Sequence, residues 1–262
     1  MKKALLPLFL SIISLTAFAQ EDATIREIHR VIDNRFTRII RLVKEDRVDV
    51  LSKLIVYPIK RSNPLPDITN AKEFTTYYPI IFDEAYKRKL KRYSTSVIME
   101  HNGLYGLIGN SFHGDIWMDD EGKIRSLNIE SKQEVILRNQ LTKKIQQQAY
   151  PSVNSWKRNI IVGKSDKLLV RVDLMANDSI RYVSWSKGKS ISEKPDLVLL
   201  NGKQESQGTM GGCTWIFKNG DWTYIVDDVE MCADDSPKDC GLFLRLQSKG
   251  VDKTLIRLKE IK

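Results

Sequence analysis

Two titratable side chains, two residues apart, are the first place to look for chemistry. His113 and Asp115 stand in "SFHGDIWMDD" beside Trp117. In a regular strand Ser111, His113, Asp115 and Trp117 share one face. A histidine beside a carboxylate can work as a general base with an orienting group. An i, i+2 pair in a strand points its groups side by side rather than head to tail, and Gly114 can mark a bulge. The competing reading, a polar pair on an exposed sheet face near a turn, fits the pattern better. Asp119, Asp120 and Glu121 lack the spacing of a calcium loop and read as a solvated turn. The chain shows no nucleophile elbow, HExxH, phosphate loop or CxxC, so neither a metal nor a cofactor is expected. Three histidines leave few catalytic constellations, whereas 33 acidic residues leave carboxylate chemistry open.

Aromatic and cationic residues raise a second chemistry, the stacking of sugars. Trp117, Tyr182, Trp185, Lys187 and Lys189 are the candidates for binding. A core aromatic cluster is the better reading for Trp215 and Trp222, since a small barrel needs such fillers. "GTMGGC" at 208–213 opens no helix and reads as a bulge or tight loop. "YKRKLKRY" at 86–93 packs five cations into six positions. It reads as the solvated face of a helix that buries Phe82, Tyr86 and Leu90, rather than as a polyanion site.

These residues need elements to position them. The chain of 262 residues opens with Lys2, Lys3, an apolar run from Ala4 to Leu15 and the small-x-small triplet Ala17-Phe18-Ala19. That is the pattern of a secretory leader, residues 1–19, with a mature start at Gln20. No cysteine lies near the cut to carry a lipid. No later segment reaches the ~18 continuous apolar residues that span a bilayer. We expect a periplasmic or secreted protein with no transmembrane segment. Export and the lack of any motif argue against nucleic acid.

The formal net charge is +9. Residues 21–130 carry 18 basic and 17 acidic side chains, and residues 131–262 carry 22 and 16. The excess therefore belongs to the second half. It suits an anionic glycan or a protein partner, or simply a solvated basic surface. Cys213, Cys232 and Cys240 are the three cysteines. In an oxidising compartment a Cys232–Cys240 bridge would staple the loop "CADDSPKDC"; a pairing of Cys213 with either is the alternative.

Thr24 and Glu27 form a capping box, and Ile25, Ile28, Ile32, Phe36, Ile39 and Val43 follow at helical spacing. A second helix after Asp46 buries Val48, Leu51 and Ile55 and stops before Pro58. Asn70 and Glu73 cap a third, which Pro79 is expected to break or kink. From Ser94 the period becomes two, giving four short strands with turns at Asn102-Gly103 and Asp120–Lys123. Helices followed by an antiparallel meander make an α+β pattern. Residues 132–149 read as a connecting helix. Eight strands follow, punctuated by Asn201-Gly202 and Asn219-Gly220. The second turn is expected to pair Lys218 with Asp221, Phe217 with Trp222 and Trp215 with Tyr224. The expected organisation is a leader (1–19), an α+β domain (20–131), a linker (132–152) and a separate all-β barrel or sandwich (153–262).

Three segments, "DRVDVLSKLIVYPI", "NAKEFTTYYPIIFDEAY" and "GLYGLIGNSFHGDIWMDDEGKIRSLNI", resemble the NTF2-like (cystatin-like) α+β cone. The resemblance covers residues about 24–130, somewhat under half the chain, and rests on pattern and order. It implies helices on a curved antiparallel sheet whose concave face can line a pocket. That fold hosts isomerases, dehydratases and many non-catalytic binders. The strand pattern of the second half loosely resembles the small β-barrels of periplasmic lysozyme inhibitors. The leading expectation is a non-enzymatic exported binding protein for a glycan or protein partner. The alternative is a small-molecule isomerase or hydrolase built around His113 and Asp115.

Overall fold

The computed structural model describes residues 10–90, 92, 98–101, 103–107, 114–207, 212–229 and 240–262, with side chains from residue 26 onward. Among these are five α-helices and two antiparallel sheets, an α+β architecture. Chain contacts gather into two compact units: residues 1–60 with 67–135, and residues 61–66 with 136–262. The short segment Arg61–Pro66 therefore groups with the second unit, well away in sequence from the rest of it.

In the first unit α1 runs from Leu10 to Lys44. The helix passes through Thr24, so the capping box there starts nothing: backbone propagation from a preceding turn is easier than fresh nucleation. Its inner stripe is Ile32, Phe36, Ile39 and Val43, while Ile28 stays exposed. Helix α2 (Val48–Leu51) continues as a 3-10 turn over Ser52–Leu54 and ends before Pro58, as expected. Helix α3 (Ala71–Ile81) starts on Asn70, whose side chain accepts from the Glu73 N–H at 3.0 Å. Pro79 lies inside α3 without ending it. Only Ile80 and Ile81 follow it in the helix, and burial of Phe74, Tyr78 and Ile81 holds the helix in place. Helix α4 (Glu84–Leu90) buries Tyr86 and Leu90.

Four strands follow: β1 (Ile98–His101), β2 (Leu104–Leu107), β3 (Ile116–Met118) and β4 (Ile124–Leu127), paired in sequence order. Leu107, Ile116, Met118, Ile124 and Leu127 pack with the α1 and α3 stripes in one core. Two turn features differ from expectation. Asp119 is buried and organises the turn: its Oδ1 accepts from the N–H groups of Glu121 and Lys123, and its Oδ2 from Arg125 Nε at 2.7 Å. The α4 cations are also engaged. Lys87 Nζ lies 2.6 Å from Asp46 and Lys89 Nζ 3.1 Å from Asp115.

Helix α5 (Lys132–Gln148) begins in the first unit and continues into the second. The Ser131 hydroxyl caps it by accepting from the Glu134 N–H. The strands of the second unit are β5 (Arg158–Lys164), β6 (Leu168–Leu174), β7 (Ile180–Ser186), β8 (Leu197–Leu199), β9 (Lys203–Ser206), β10 (Cys213–Asn219), β11 (Trp222–Val229), β12 (Gly241–Ser248) and β13 (Val251–Glu260). They form one sheet in the order β8-β7-β6-β5-β13-β12-β11-β10-β9. Nine strands replace the expected eight, because the polar stretch at 203–206 adds one. The architecture is a curled half-barrel rather than a sandwich. Tyr182 of β7 lies 5.5 Å from Phe217 of β10 between ring centroids, although five strands separate β7 from β10 in the sheet. Only a sheet curled on itself brings those rings together.

The β10–β11 hairpin has a register two residues from the expected one. Asn219 pairs with Trp222, Phe217 with Tyr224 and Trp215 with Val226. The turn residues are Gly220 and Asp221, with Gly220 at φ 58°, the backbone that a glycine-first turn requires. A slip of two preserves the faces, so Trp215 and Phe217 still point into the core.

Candidate ligand-binding site

Alternation along β6 gives the second unit an unusual charge. Val170 and Val172 face the half-barrel core, which puts Leu169, Arg171 and Asp173 on the opposite face. Strand register then sets Arg181 of β7 and Asn159 of β5 directly beside Asp173. All four polar residues are buried, and Asp173 is fully so.

Asp173 collects three partners. Arg171 Nε lies 3.0 Å from its Oδ1, Arg181 Nη2 donates to Oδ2 at 2.8 Å, and Asn159 Nδ2 donates to Oδ1 at 3.0 Å. The Nη2 atoms of both arginines also donate to the Val153 carbonyl, at 2.6 and 3.2 Å. Two guanidinium groups on one carboxylate leave one positive charge in excess. Isolated charge of that kind costs several kcal/mol to bury. Burial pushes Arg171 below its ordinary value; Asp173 draws it back up and the like charge of Arg181 pushes it down again. The Arg171 guanidinium also stacks on Trp156, 4.2 Å from the ring centroid, with Trp185 at 5.4 Å.

This cluster borders a cavity of about 340 Å³ within the second unit. Its walls are largely apolar, including Val162, Leu169, Ile191 and Ile261, with Lys164, Lys189 and Lys262 also lining it. Three buried polar atoms on its lining residues have no hydrogen-bond partner among the described residues: Arg171 Nη1, Trp156 Nε1 and Asn63 Oδ1. Asn63 is held from its other end, donating to the Ile160 carbonyl at 3.1 Å and to Glu260 at 3.3 Å. Lys189 pairs with Asp196, and that contact, with the Ser186 N–H, holds the Asp196 carboxyl down at about 2.

The structure sorts the residues picked out in the sequence. Lys189 lines the cavity, and Trp185 backs Arg171 while donating its own N–H to the Glu193 carbonyl at 2.8 Å. Tyr182 is on the other side of the sheet, fully buried against Phe217 and Tyr224, and burial pushes its hydroxyl up to about 12. Neither aromatic offers an open stacking face, because each fills a core. Lys187 is exposed and does not line the cavity. Trp117 belongs to the first unit, half-buried, in the register position opposite Gly106. A side chain at Gly106 would meet its ring at 2.8 Å.

His113 lies outside the described residues. Asp115 is buried, with its Oδ2 3.1 Å from Lys89 Nζ and its N–H donating to the Leu107 carbonyl. A separate hollow of about 250 Å³ in the first unit is lined by Ile28, His29, Ile32, Ile98, Glu100 and Tyr105 and includes neither Asp115 nor Trp117. Cys213 is half-buried, its sulfur 3.5 Å from Gln204 Nε2, whereas Cys240 is disulfide-bonded. Cys232, its expected partner, lies outside the described residues, as do residues 208–211. Among the described residues no helix is long and apolar enough to cross a membrane, and no group of three or more His, Cys, Asp or Glu could hold a metal.

Arg171, Asp173, Arg181, Trp156 and Asn63 were missed in the sequence. One signal was present: "LLVRVDL" places two charges inside an otherwise apolar run, which is costly in a central strand unless they are paired. Compared with protein-family models, curated proteins and solved structures, the chain finds no match in any of the three.

Proposed function

We propose that the protein is an exported, non-catalytic binding protein whose ligand site is the cavity of the second unit. The observation that carries this reading is an apolar-walled cavity of about 340 Å³ whose lining residues include Arg171, Trp156 and Asn63, each with one buried polar atom left without a partner. Buried polar groups are otherwise almost always hydrogen-bonded, and ligand pockets combine apolar walls with a few such groups. The groups present hold a ligand rather than transform it. A guanidinium stays protonated, an indole N–H only donates, and a primary amide does not exchange charge near neutral pH. A small ligand suits such enclosed groups better than the glycan or protein surface expected from charge alone.

Export is supported by the basic, apolar and small-x-small pattern of residues 1–19. The NTF2-like reading of the first unit is supported by its order of helices followed by a four-stranded meander. Thermal denaturation of the mature chain with a library of small anions and their neutral isosteres tests the binding reading. A compound that raises the melting temperature of the wild type but not of Arg171→Met supports it. A library in which nothing shifts the wild type sinks it.

A further inference from the structure

We infer that the cavity takes a single-chain anionic amphiphile, with its alkyl body inside and its anionic head at the mouth. This rests on the cavity being the binding site and assigns the class of ligand from where the lining residues stand. Trp156, Leu169 and Arg171 are buried, whereas Lys164 and Ser190 are exposed. The cavity therefore runs from the surface inward to the face of β5 and β6 that looks away from the half-barrel core. Val162, Leu169, Ile191 and Ile261 flank it, with Ile145 of α5. Such walls suit hydrocarbon and leave polar groups unpaired. A cavity of roughly 150 Å³ holds a benzene ring. At about 340 Å³ this one is a little over twice as large, which is room for one short alkyl chain and not for a two-chain lipid.

The charge at the mouth selects the head. Four basic side chains line the cavity and no acidic one does. Arg171, Lys189 and Lys262 are ion-paired with Asp173, Asp196 and Glu260. Lys164, the fourth, makes no ion pair among the described residues.

The β-ladder sets a second cation beside it. A side chain at Gly163 would run into Leu242 and Leu258 of the half-barrel core. Lys164, the next residue, therefore stands on the opposite face, with Val162. Its register partner is Lys259 of β13, so the two lysines share that face. Lys259 is exposed and makes no ion pair among the described residues either. Like charges directly opposite each other on a ladder are destabilising. The junction of β5 with β13 consists of this pair and Gly163 with Glu260. An anion at the mouth relieves the repulsion, and a cation adds to it.

Isothermal titration calorimetry of the full mature chain with four probes tests the inference: octanoate, hexanoate, octan-1-ol and octylammonium. Octanoate should bind tightest, and added salt should weaken it. Hexanoate should bind about tenfold more weakly, because two methylenes no longer leave water. Octan-1-ol should bind about threefold more weakly and ignore salt, and octylammonium about tenfold more weakly. Lys164→Glu should weaken octanoate about tenfold and leave octan-1-ol unchanged. Ile145→Trp fills the cavity and should abolish binding of every probe; Ile191→Trp serves if that variant fails to fold. Octan-1-ol or octylammonium binding as tightly as octanoate, and lost in the tryptophan variant, overturns the anionic head while keeping the site. Octanoate binding unchanged in Lys164→Glu overturns the place assigned to the head. Octanoate binding unchanged in both tryptophan variants overturns the class and the site together. No binding by any probe overturns the class, and the library melt decides separately whether the cavity binds anything.

Discussion

Asp119 fixes a corner of the first unit with one carboxylate. Burial opposes its ionisation, but the Lys123 N–H and the Arg125 guanidinium outweigh burial and hold its pKa below the ordinary 3.8. A carboxylate with a depressed folded value stabilises the fold above its unfolded value, and that contribution is lost as pH falls through the folded one. Asp119→Asn keeps one acceptor for the turn but drops the ion pair. We expect it to destabilise the protein by about 1 kcal/mol at pH 7, and the gap to close in acid, where the wild-type carboxyl is also neutral. Urea denaturation at pH 7 and at successively lower pH down to about 2 checks both halves of the prediction, since the contribution is lost only as pH falls through the depressed folded value. The residue was visible in the sequence, yet its role was not. A turn carboxylate looks alike whether it faces water or gathers three donors, and only the path of the backbone decides. The α4 cations show the same limit: Lys87 and Lys89 read as solvated until Asp46 and Asp115 came within reach of them.

Strand and helix identities were largely legible because period and turn residues are local signals. The four-strand meander, α2, the Asn70 cap and the connecting helix α5 follow from them. Register, helix starts and curl do not, since each depends on competition between near-equal local choices or on distant partners. Asn219-Gly220 could turn either at Asn-Gly or at Gly-Asp, and the chain uses the second. Curl depends on the fit of rings across the half-barrel, and Gly202 shows how tight that fit is. A β-carbon there would sit 2.2 Å from the Phe217 ring. Gly202→Ala should therefore cost about 2 kcal/mol, through displacement of a fully buried ring. Gly188 provides the contrast: φ is +88° but nothing lies within 4 Å. Gly188→Ala should cost only about 1 kcal/mol of backbone strain. Thermal melts of the two variants rank them, and an equal or reversed order would refute the packing argument.

At the scale of the whole molecule, the division into two units makes a prediction about Asn63. Although it follows residues 1–60 of the first unit, its bonds go to Ile160 and Glu260 in the second. Asn63→Ala should lower amide protection from hydrogen exchange in β5 and at the end of β13, and leave β2 to β4 unchanged. Loss of protection confined to the first unit would contradict the assignment. The proposed export makes another: in a secreting bacterial host the intact mass should correspond to a chain beginning at Gln20. Nothing local in the sequence marked Arg61–Pro66 as grouping with residues 136–262. Its membership depends on partners about a hundred residues and more further along the chain.

That hexapeptide also sets the timing of assembly. A ribosome makes Asn63 about two hundred residues before Ile261 and Lys262, yet all three line the same cavity. However early the first wall is made, the cavity cannot close until residues 261 and 262 have emerged, so its completion is among the late events of folding.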